Sequence, residues 1–132
     1  MTSILLVDDE PMVRRIMRGS LENSGFSVDV AENGEVALVK IRAQAPNALI
    51  TDIEMPRMDG RALCAAIVKE FPDRTYPIFV LTSLTEREHR EWSAGIENLI
   101  FLEKPVSVRN PSRLRAGRLR KSRLVVAVTS SV

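Results

Sequence analysis

Short apolar runs alternate with helical patterns along the first hundred residues of the chain. Runs of Val, Ile and Leu that end at polar residues are typical of strands buried in a parallel sheet. The second run instead alternates Ser27 and Asp29 with Val28 and Val30, which is typical of an edge strand. The predicted strands cover residues 3–7, 26–30, 48–50 leading to Asp52, 77–81 and 99–102.

Four predicted helices lie between these strands, and in the first three apolar residues recur every three or four positions. The first has Pro11 in its first turn and carries Val13, Ile16, Met17, Ser20 and Leu21 on one side. The second opens at Asn33-Gly34, has an inner side of Ala37, Leu38, Ile41 and Ala45, and ends at Pro46. The others cover residues 61–71 and 85–94, the last with Trp92 as its main apolar anchor. Alternating strands and helices predict an α/β fold, a doubly wound parallel sheet with helices on both faces.

The last 27 residues break this order. Leu114, Leu119 and Leu124 are five residues apart, so on a helix they would scatter around the axis instead of forming a stripe. The alternation of Arg and Leu fits an extended basic ribbon as well as a helix. Partial helix, and disorder or folding on a partner, both stay open. We therefore divide the chain into a core of residues 1–105 and a basic segment of residues 106–132.

The charge of the chain divides at the same place. The core carries 12 basic and 17 acidic residues, whereas the tail carries 7 basic and no acidic residues. A chain of 132 residues with 45% hydrophobic composition suits one domain. It has no apolar run of membrane-spanning length and no signal-peptide pattern, so we expect a soluble, cytoplasmic protein with no membrane contact. Its single cysteine, Cys64, is expected to be a small buried hydrophobe on a helix.

Polar groups follow four of the five predicted strands. They are Asp8 and Asp9, Asp52, Thr82, and Lys104. The carboxyl ends of parallel strands share one edge of the sheet, so these side chains are expected to meet there. Carboxylates that crowd together raise one another's pKa or bind a hard cation, and ligands that are all oxygen favour Mg²⁺. The simpler alternatives are helix capping by Asp8 and Asp9, a turn at Asp52 and a solvated charge at Lys104.

A carboxylate, a metal ion, a lysine and a hydroxyl together suit the acceptance of a phosphoryl group. Such transfer depends on positioning and on cations and donors around the phosphoryl oxygens. Asp52 would be the nucleophile and form an aspartyl phosphate. Mg²⁺ and Lys104 would neutralise the oxygens, and Thr82 would donate a hydrogen bond.

Four motifs occur in order along the chain. They are Leu5-Leu6-Val7-Asp8-Asp9-Glu10-Pro11, Asp52-Ile53-Glu54-Met55-Pro56-Arg57-Met58-Asp59-Gly60, Val80-Leu81-Thr82-Ser83 and Phe101-Leu102-Glu103-Lys104-Pro105. Together they resemble the receiver domains of bacterial two-component response regulators, of the chemotaxis type. The resemblance spans residues 4–105. It implies a flavodoxin-like five-stranded sheet of order 2-1-3-4-5. It also implies a phosphorylation-dependent signalling module that catalyses only its own phosphorylation and dephosphorylation.

The same resemblance assigns the phosphoacceptor and the metal ligands. Asp52 would accept the phosphoryl group from a histidine kinase or a phosphotransfer protein. Asp9 and Asp52 would bind Mg²⁺ directly, Asp8 would do so through water, and the main-chain carbonyl of Glu54 would be a further ligand.

It also assigns the residues that sense the phosphoryl group. Lys104 would contact that group and precede a cis bond to Pro105. Thr82 and Phe101 would form the switch pair that reshapes a face for an output protein, although Phe101 as ordinary core is the simpler alternative. Glu54 and Leu84 flank the phosphoryl site in the family. Because neither obviously positions an attacking water, we expect a persistent phosphoryl group.

The tail departs from the family pattern, since a receiver usually ends with an amphipathic helix. A remodelled tail helix, a second protomer in a homodimer or a binding partner would have to cover the apolar surface left beside the sheet. Seven basic residues without interleaved aromatics support nucleic-acid binding only weakly, and a solubilising tail explains them equally well. Two further alternatives are a degenerate receiver that never takes phosphate and a small phosphatase of the haloacid-dehalogenase type. Asp52 follows the third strand and not the first, which disfavours the phosphatase.

Overall fold

Strands and helices alternate without exception in the computed structural model, which describes residues 2–82 and 86–103. All strand pairs are parallel, and the sheet order is β2-β1-β3-β4-β5. This confirms the predicted flavodoxin-like α/β fold. The elements are β1 (Ser3–Val7), α1 (Pro11–Asn23), β2 (Ser27–Ala31), α2 (Gly34–Ala43), β3 (Ala48–Asp52), α3 (Gly60–Glu70), β4 (Ile78–Thr82), α4 (Glu86–Ser93) and β5 (Leu99–Glu103).

Two hydrophobic clusters lie on opposite faces of the sheet, because successive side chains of a strand point to opposite sides. Leu5 and Val7 of β1 belong to the cluster covered by α2 and α3, which includes Leu38 and Leu63. Ile4 and Leu6 belong to the cluster that α1 covers. All five residues of β3 and of β4 are buried, as predicted for central strands.

Helix α1 shows its predicted stripe only in part. Met17 and Leu21 are buried against the sheet, whereas Val13, Ile16 and Ser20 are half-buried. The predicted segment of residues 106–132 and its boundary at Pro105 lie outside the described residues.

Strand β2 is one edge of the sheet, as its alternating pattern predicts. Lys40 of α2 secures this edge by donating to Asp29 Oδ1 at 2.8 Å and to the Val30 carbonyl at 2.7 Å. The hydrogen bond from Lys40 holds the pKa of Asp29 below its ordinary value of 3.8. A charged pair on an exposed strand also opposes pairing with another strand.

Several element boundaries differ from the prediction by one or two residues. β2 begins at Ser27, because the Phe26 amide donates to the Leu21 carbonyl at the end of α1. α2 ends at Ala43, where Gln44 turns to an extended conformation. The assignment of Ala45 to the inner side of that helix is therefore wrong, and its side chain is exposed.

Candidate functional site

Asp8 and Asp9 follow β1 and differ sharply in burial. Asp8 is fully buried, and its Oδ1 accepts a hydrogen bond from the Glu10 amide at 2.9 Å. Its amide donates to the Ala31 carbonyl at 3.1 Å, so β2 fixes its backbone. Asp9 is exposed. Neither residue caps α1, whose N-cap is Glu10, so the capping interpretation of this acidic pair is wrong.

Asp52 is the last residue of β3 and lies beside the end of β1. Val7 and Thr51 are partners in the β1–β3 register. Asp8 follows Val7 and Asp52 follows Thr51, so the two aspartates lie at neighbouring strand ends. Asp52 is 2% exposed, and its Oδ1 accepts from the Ile53 amide at 2.8 Å. This bond fixes the carboxylate at the sheet edge.

Oxygen atoms of Asp8, Asp9 and Asp52 all lie within 4.8 Å of one another. Two of the three residues are buried, so solvent screens their mutual repulsion poorly. Three carboxylates at this spacing form a site that could bind Mg²⁺, which prefers oxygen ligands. The predicted convergence of the first and third strands is therefore confirmed.

An open cleft of about 500 Å³ lies over this cluster. Its floor includes Asp9 and Asp52, and one wall is the loop between β3 and α3. The exposed residue Glu54 lines that wall, in the same cleft as Asp9 and Asp52. The residues lining the cleft are Asp9, Glu10, Asp52, Glu54, Met55, Pro56 and Asp59.

The described part of the chain contains two of the three remaining predicted residues. Thr82 is the buried last residue of β4, and Leu81 before it is the register partner of Asp52. Phe101 is a half-buried residue of β5, paired in register with Val80. Lys104 lies outside the described residues, as do Leu84 and the bond before Pro105.

Phe101 contacts the one tryptophan of the chain. The rings of Trp92 and Phe101 are edge to face, with centroids 5.8 Å apart and planes at 86°. Both residues pack against the cluster on the α2 and α3 side of the sheet. Trp92 is thus the apolar anchor of α4, as its sequence predicts.

Comparison with known families decides how this arrangement is classified. The family model of the response regulator receiver domain matches residues 4–115. The chain belongs to that family. The match begins in β1 and extends past Pro105 into the basic segment. This receiver domain therefore belongs to phosphoryl-accepting two-component signalling, and receiver domains are generally not classical enzymes.

Known proteins similar to this receiver domain include transcriptional regulators and signalling proteins whose structures have been solved. It is 37% identical over 113 residues to the probable transcriptional regulator ycf27 of Porphyra purpurea, covering 86% of this chain and 44% of the relative. The chemotaxis protein CheY4 of Vibrio cholerae has a TM-score of 0.73 and 28% identity, covering 91% of this chain and 98% of that one. TrrA of Thermotoga maritima, solved in complex with Mg(2+)-BeF, has a TM-score of 0.66 and 30% identity, covering 92% and 99%. The receiver domain thus spans less than half the length of the ycf27 regulator.

No helix in the described part of the receiver domain has the length and apolar character that crossing a bilayer requires. Cys64 is fully buried on α3, and burial raises the pKa of its thiol to about 12. The thiol is therefore neutral at physiological pH. This confirms that Cys64 is a buried hydrophobe.

Sequence reasoning missed the role of Gly60 in this receiver domain. The predicted helix begins at residue 61, but Asp59 is the N-cap of α3 and accepts from the Ala62 amide at 2.9 Å. Gly60 is the first residue of that helix and lies against the backbone of Asp52. The available signal was an N-cap residue directly before a helical pattern.

Proposed function

We propose that this receiver domain accepts a phosphoryl group on Asp52 from the phosphohistidine of a histidine kinase or a phosphotransfer protein. The carboxylate cluster at the ends of β1 and β3 carries the proposal, since its oxygen atoms lie within 4.8 Å of one another. Family membership supports the reaction class, and the position of Asp52 in the cluster supports the choice of residue. Asp52 is the member of the cluster that is both buried and part of the open cleft.

The donor set fits Mg²⁺. Asp9 and Asp52 would bind the ion directly, Asp8 through a water molecule, and Glu54 through its main-chain carbonyl. Each of these groups offers oxygen alone, which suits a hard cation that keeps several waters. When bound, Mg²⁺ supplies positive charge to the phosphoryl oxygens. The relative TrrA, solved with Mg(2+)-BeF, supports this assignment.

Asp52 acts as the nucleophile of the transfer. One of its carboxylate oxygens forms the bond to phosphorus while the phosphorus–nitrogen bond to the donor imidazole breaks, and the electron pair of that bond stays on the imidazole. The Ile53 amide, 2.8 Å from Oδ1, holds the carboxylate in place during this step. The buried hydroxyl of Thr82 and the ammonium of Lys104 are proposed to bind the transferred group.

The consequence of phosphorylation is a change in the surface near β4, α4 and β5. Thr82 moves toward the phosphoryl group, and Phe101 turns inward. Because Trp92 packs edge-on against Phe101, a turn of that ring displaces the apolar anchor of α4. An output protein then recognises the altered face, and phosphorylation acts by shifting the population between two states of the domain.

The phosphoryl group is expected to persist. Glu54 lines the cleft as an exposed carboxylate, and its negative charge does not favour the approach of hydroxide or of an activated water. Label from ³²P-phosphorylated protein, followed in Mg²⁺ after removal of the donor, should decay slowly. Rapid loss of the label would refute this expectation.

Intact mass after incubation with acetyl phosphate and Mg²⁺ tests the proposal. The wild-type protein should gain one phosphoryl group, and Asp52→Asn should gain none. Asp59→Asn is the matched control, because Asp59 lines the same cleft and an asparagine keeps the N-cap of α3. EDTA should abolish the adduct. An adduct that persists in folded Asp52→Asn, or none in folded wild-type protein, would contradict the proposal.

A further inference from the structure

The loop of residues 53–59 between β3 and α3 is held at both of its ends. At one end, the Gly60 amide donates to the Ile53 carbonyl at 2.7 Å, within the same β3–α3 unit. At the other end, the Met58 carbonyl accepts from the amide of Gly34 at 3.0 Å. Gly34 is the first residue of α2, so a neighbouring helix fixes the far end of the loop.

The contact at Gly34 leaves no room for a side chain. A Cβ at this position would lie 2.6 Å from both the carbonyl oxygen and the Cγ of Met58. The first amides of a helix have no partner within the helix. The Asn33 side chain accepts a hydrogen bond from one of these amides, that of Val36, at 2.9 Å. The Met58 carbonyl in the loop accepts from another, that of Gly34. The first turn of α2 is thus completed by the loop.

The loop contains a backbone conformation that arginine rarely adopts. Arg57 has a φ of +66°, and the Met58 amide donates to the Pro56 carbonyl at 2.8 Å across it, as in a three-residue turn. Its guanidinium forms an ion pair with Glu35 of α2 at 3.5 Å. Conformations of this kind persist where the surrounding structure holds them, and here α2 contacts both Arg57 and Met58.

This loop is also a wall of the phosphoryl-acceptor cleft. Glu54, Met55 and Pro56 line the cleft directly before the turn at Arg57. A shift of the loop at Met58 would therefore displace residues that line the cleft together with Asp9 and Asp52.

We propose that the first turn of α2 is a clasp that positions the β3–α3 loop and thereby sets the Mg²⁺ affinity of the cleft. The clasp consists of Asn33, Gly34 and Glu35. Its residues contact neither the metal nor the phosphoryl group, and they act through Arg57 and Met58. The proposal rests on the proposed function, in which the Glu54 carbonyl is a metal ligand.

Gly34→Ala tests the clasp, with Gly19→Ala as the matched control. Gly19 is also a helical glycine, but a Cβ there would meet no atom within 4 Å. Calorimetric titration with Mg²⁺ should show about tenfold weaker binding for Gly34→Ala, as for other residues that position metal ligands, and no change for Gly19→Ala. In Mg²⁺-free buffer, the backbone amides of residues 53–59, other than Pro56, should exchange with deuterium faster in Gly34→Ala than in wild-type protein.

A second measurement uses the wild-type protein and is informative even if Gly34→Ala does not fold. The Gly34 amide should exchange at least about tenfold more slowly than that of Glu35, its neighbour in the same first turn, after correction for sequence. Equal exchange of these two amides, or Mg²⁺ affinity unchanged in folded Gly34→Ala, would overturn the clasp. Absence of Mg²⁺ binding by wild-type protein would instead refute the proposed function, and the two exchange measurements would still test whether the first turn of α2 positions the loop.

Discussion

Gly60 lies where the phosphoacceptor strand turns toward α3. A Cβ on this residue would be 2.3 Å from the Asp52 carbonyl oxygen and 3.0 Å from the Ile53 Cα. Both neighbours are backbone atoms, which cannot move aside as a flexible side chain can. The absence of a side chain at Gly60 therefore allows α3 to begin directly against Asp52.

Gly60→Ala is expected to destabilise the domain by roughly 1–3 kcal/mol, the usual range for overpacking. Gly19→Ala should instead stabilise it by about 0.5–1 kcal/mol, because alanine is the better helix former and the site is open. Urea unfolding of the two variants measures both effects. Equal free energies of unfolding for Gly60→Ala and wild type would show that the backbone at Asp52 shifts to accommodate the added Cβ at little energetic cost.

Residue types at the strand ends were sufficient to predict the carboxylate cluster. Asp8, Asp9 and Asp52 each follow an apolar run, and parallel strands bring such positions to one edge. Sequence could not predict the contacts of Gly34 and Gly60, because these depend on the close approach of separate backbone segments. A glycine before a helical pattern shows where a helix starts, but not what lies against it.

At the scale of elements, α4 is attached to the sheet through few apolar groups. Its sequence is strongly polar, and Trp92 reaches Phe101 of β5 in an edge-to-face contact. Such aromatic pairs contribute about 0.5–1.5 kcal/mol beyond the area they bury. A helix anchored in this way is suited to movement when Phe101 changes position.

Fluorescence of Trp92 is therefore expected to report phosphorylation. Acetyl phosphate with Mg²⁺ should change the emission of the wild-type protein. The chain has one tryptophan, and its ring packs against that of Phe101. The change should be absent in Asp52→Asn and strongly reduced in Phe101→Leu. An equal change in Phe101→Leu would show that the signal does not pass through this ring pair.

The two ends of α2 show where the sequence predicts a helix boundary and where it does not. Asn33 begins α2 as predicted, because its side chain accepts from the Val36 amide. Ala45 was placed on that helix because it continued the apolar spacing, but the chain becomes extended at Gln44. Periodicity alone therefore overestimates a helix whose last apolar residue lies beyond its C-cap.

At the scale of the whole molecule, the described edge of the sheet at β2 carries a pH-dependent contribution to stability. The pair of Asp29 and Lys40 lowers the pKa of Asp29. A lowered pKa in the folded state means that the pair contributes fully above the ordinary value of 3.8. Its contribution is lost as the pH falls from that value through the pKa of the folded state.

Asp29→Asn should consequently destabilise the domain at pH 7 and have little effect below the pKa of the folded state. The loss should stay below about 1 kcal/mol, because both side chains are substantially exposed to solvent. Free energies of unfolding measured from pH 7 to pH 3 test this, with Asp73→Asn at an exposed position as control. A constant difference across the series would mean that the charge of Asp29 is not its source.

The parallel α/β fold could be predicted because strands and helices alternate along the whole described chain, whereas the strand order came from the family resemblance. Each strand is short, all but the edge strand β2 are largely apolar, and a doubly wound sheet buries the apolar strands between its two layers of helices. The tail has no such repetition, and its apolar residues fit neither a helix nor a strand period. Prediction succeeded where the burial of each element constrained its sequence.

Chemical localisation of the phosphoryl group tests the central claim most directly. Borohydride reduces an acyl phosphate to the alcohol and so converts a phosphorylated aspartate to homoserine, which tandem mass spectrometry assigns to a position. After treatment with acetyl phosphate and Mg²⁺, we predict homoserine at position 52. Homoserine at position 8, 9 or 59, with none at 52, would contradict the account.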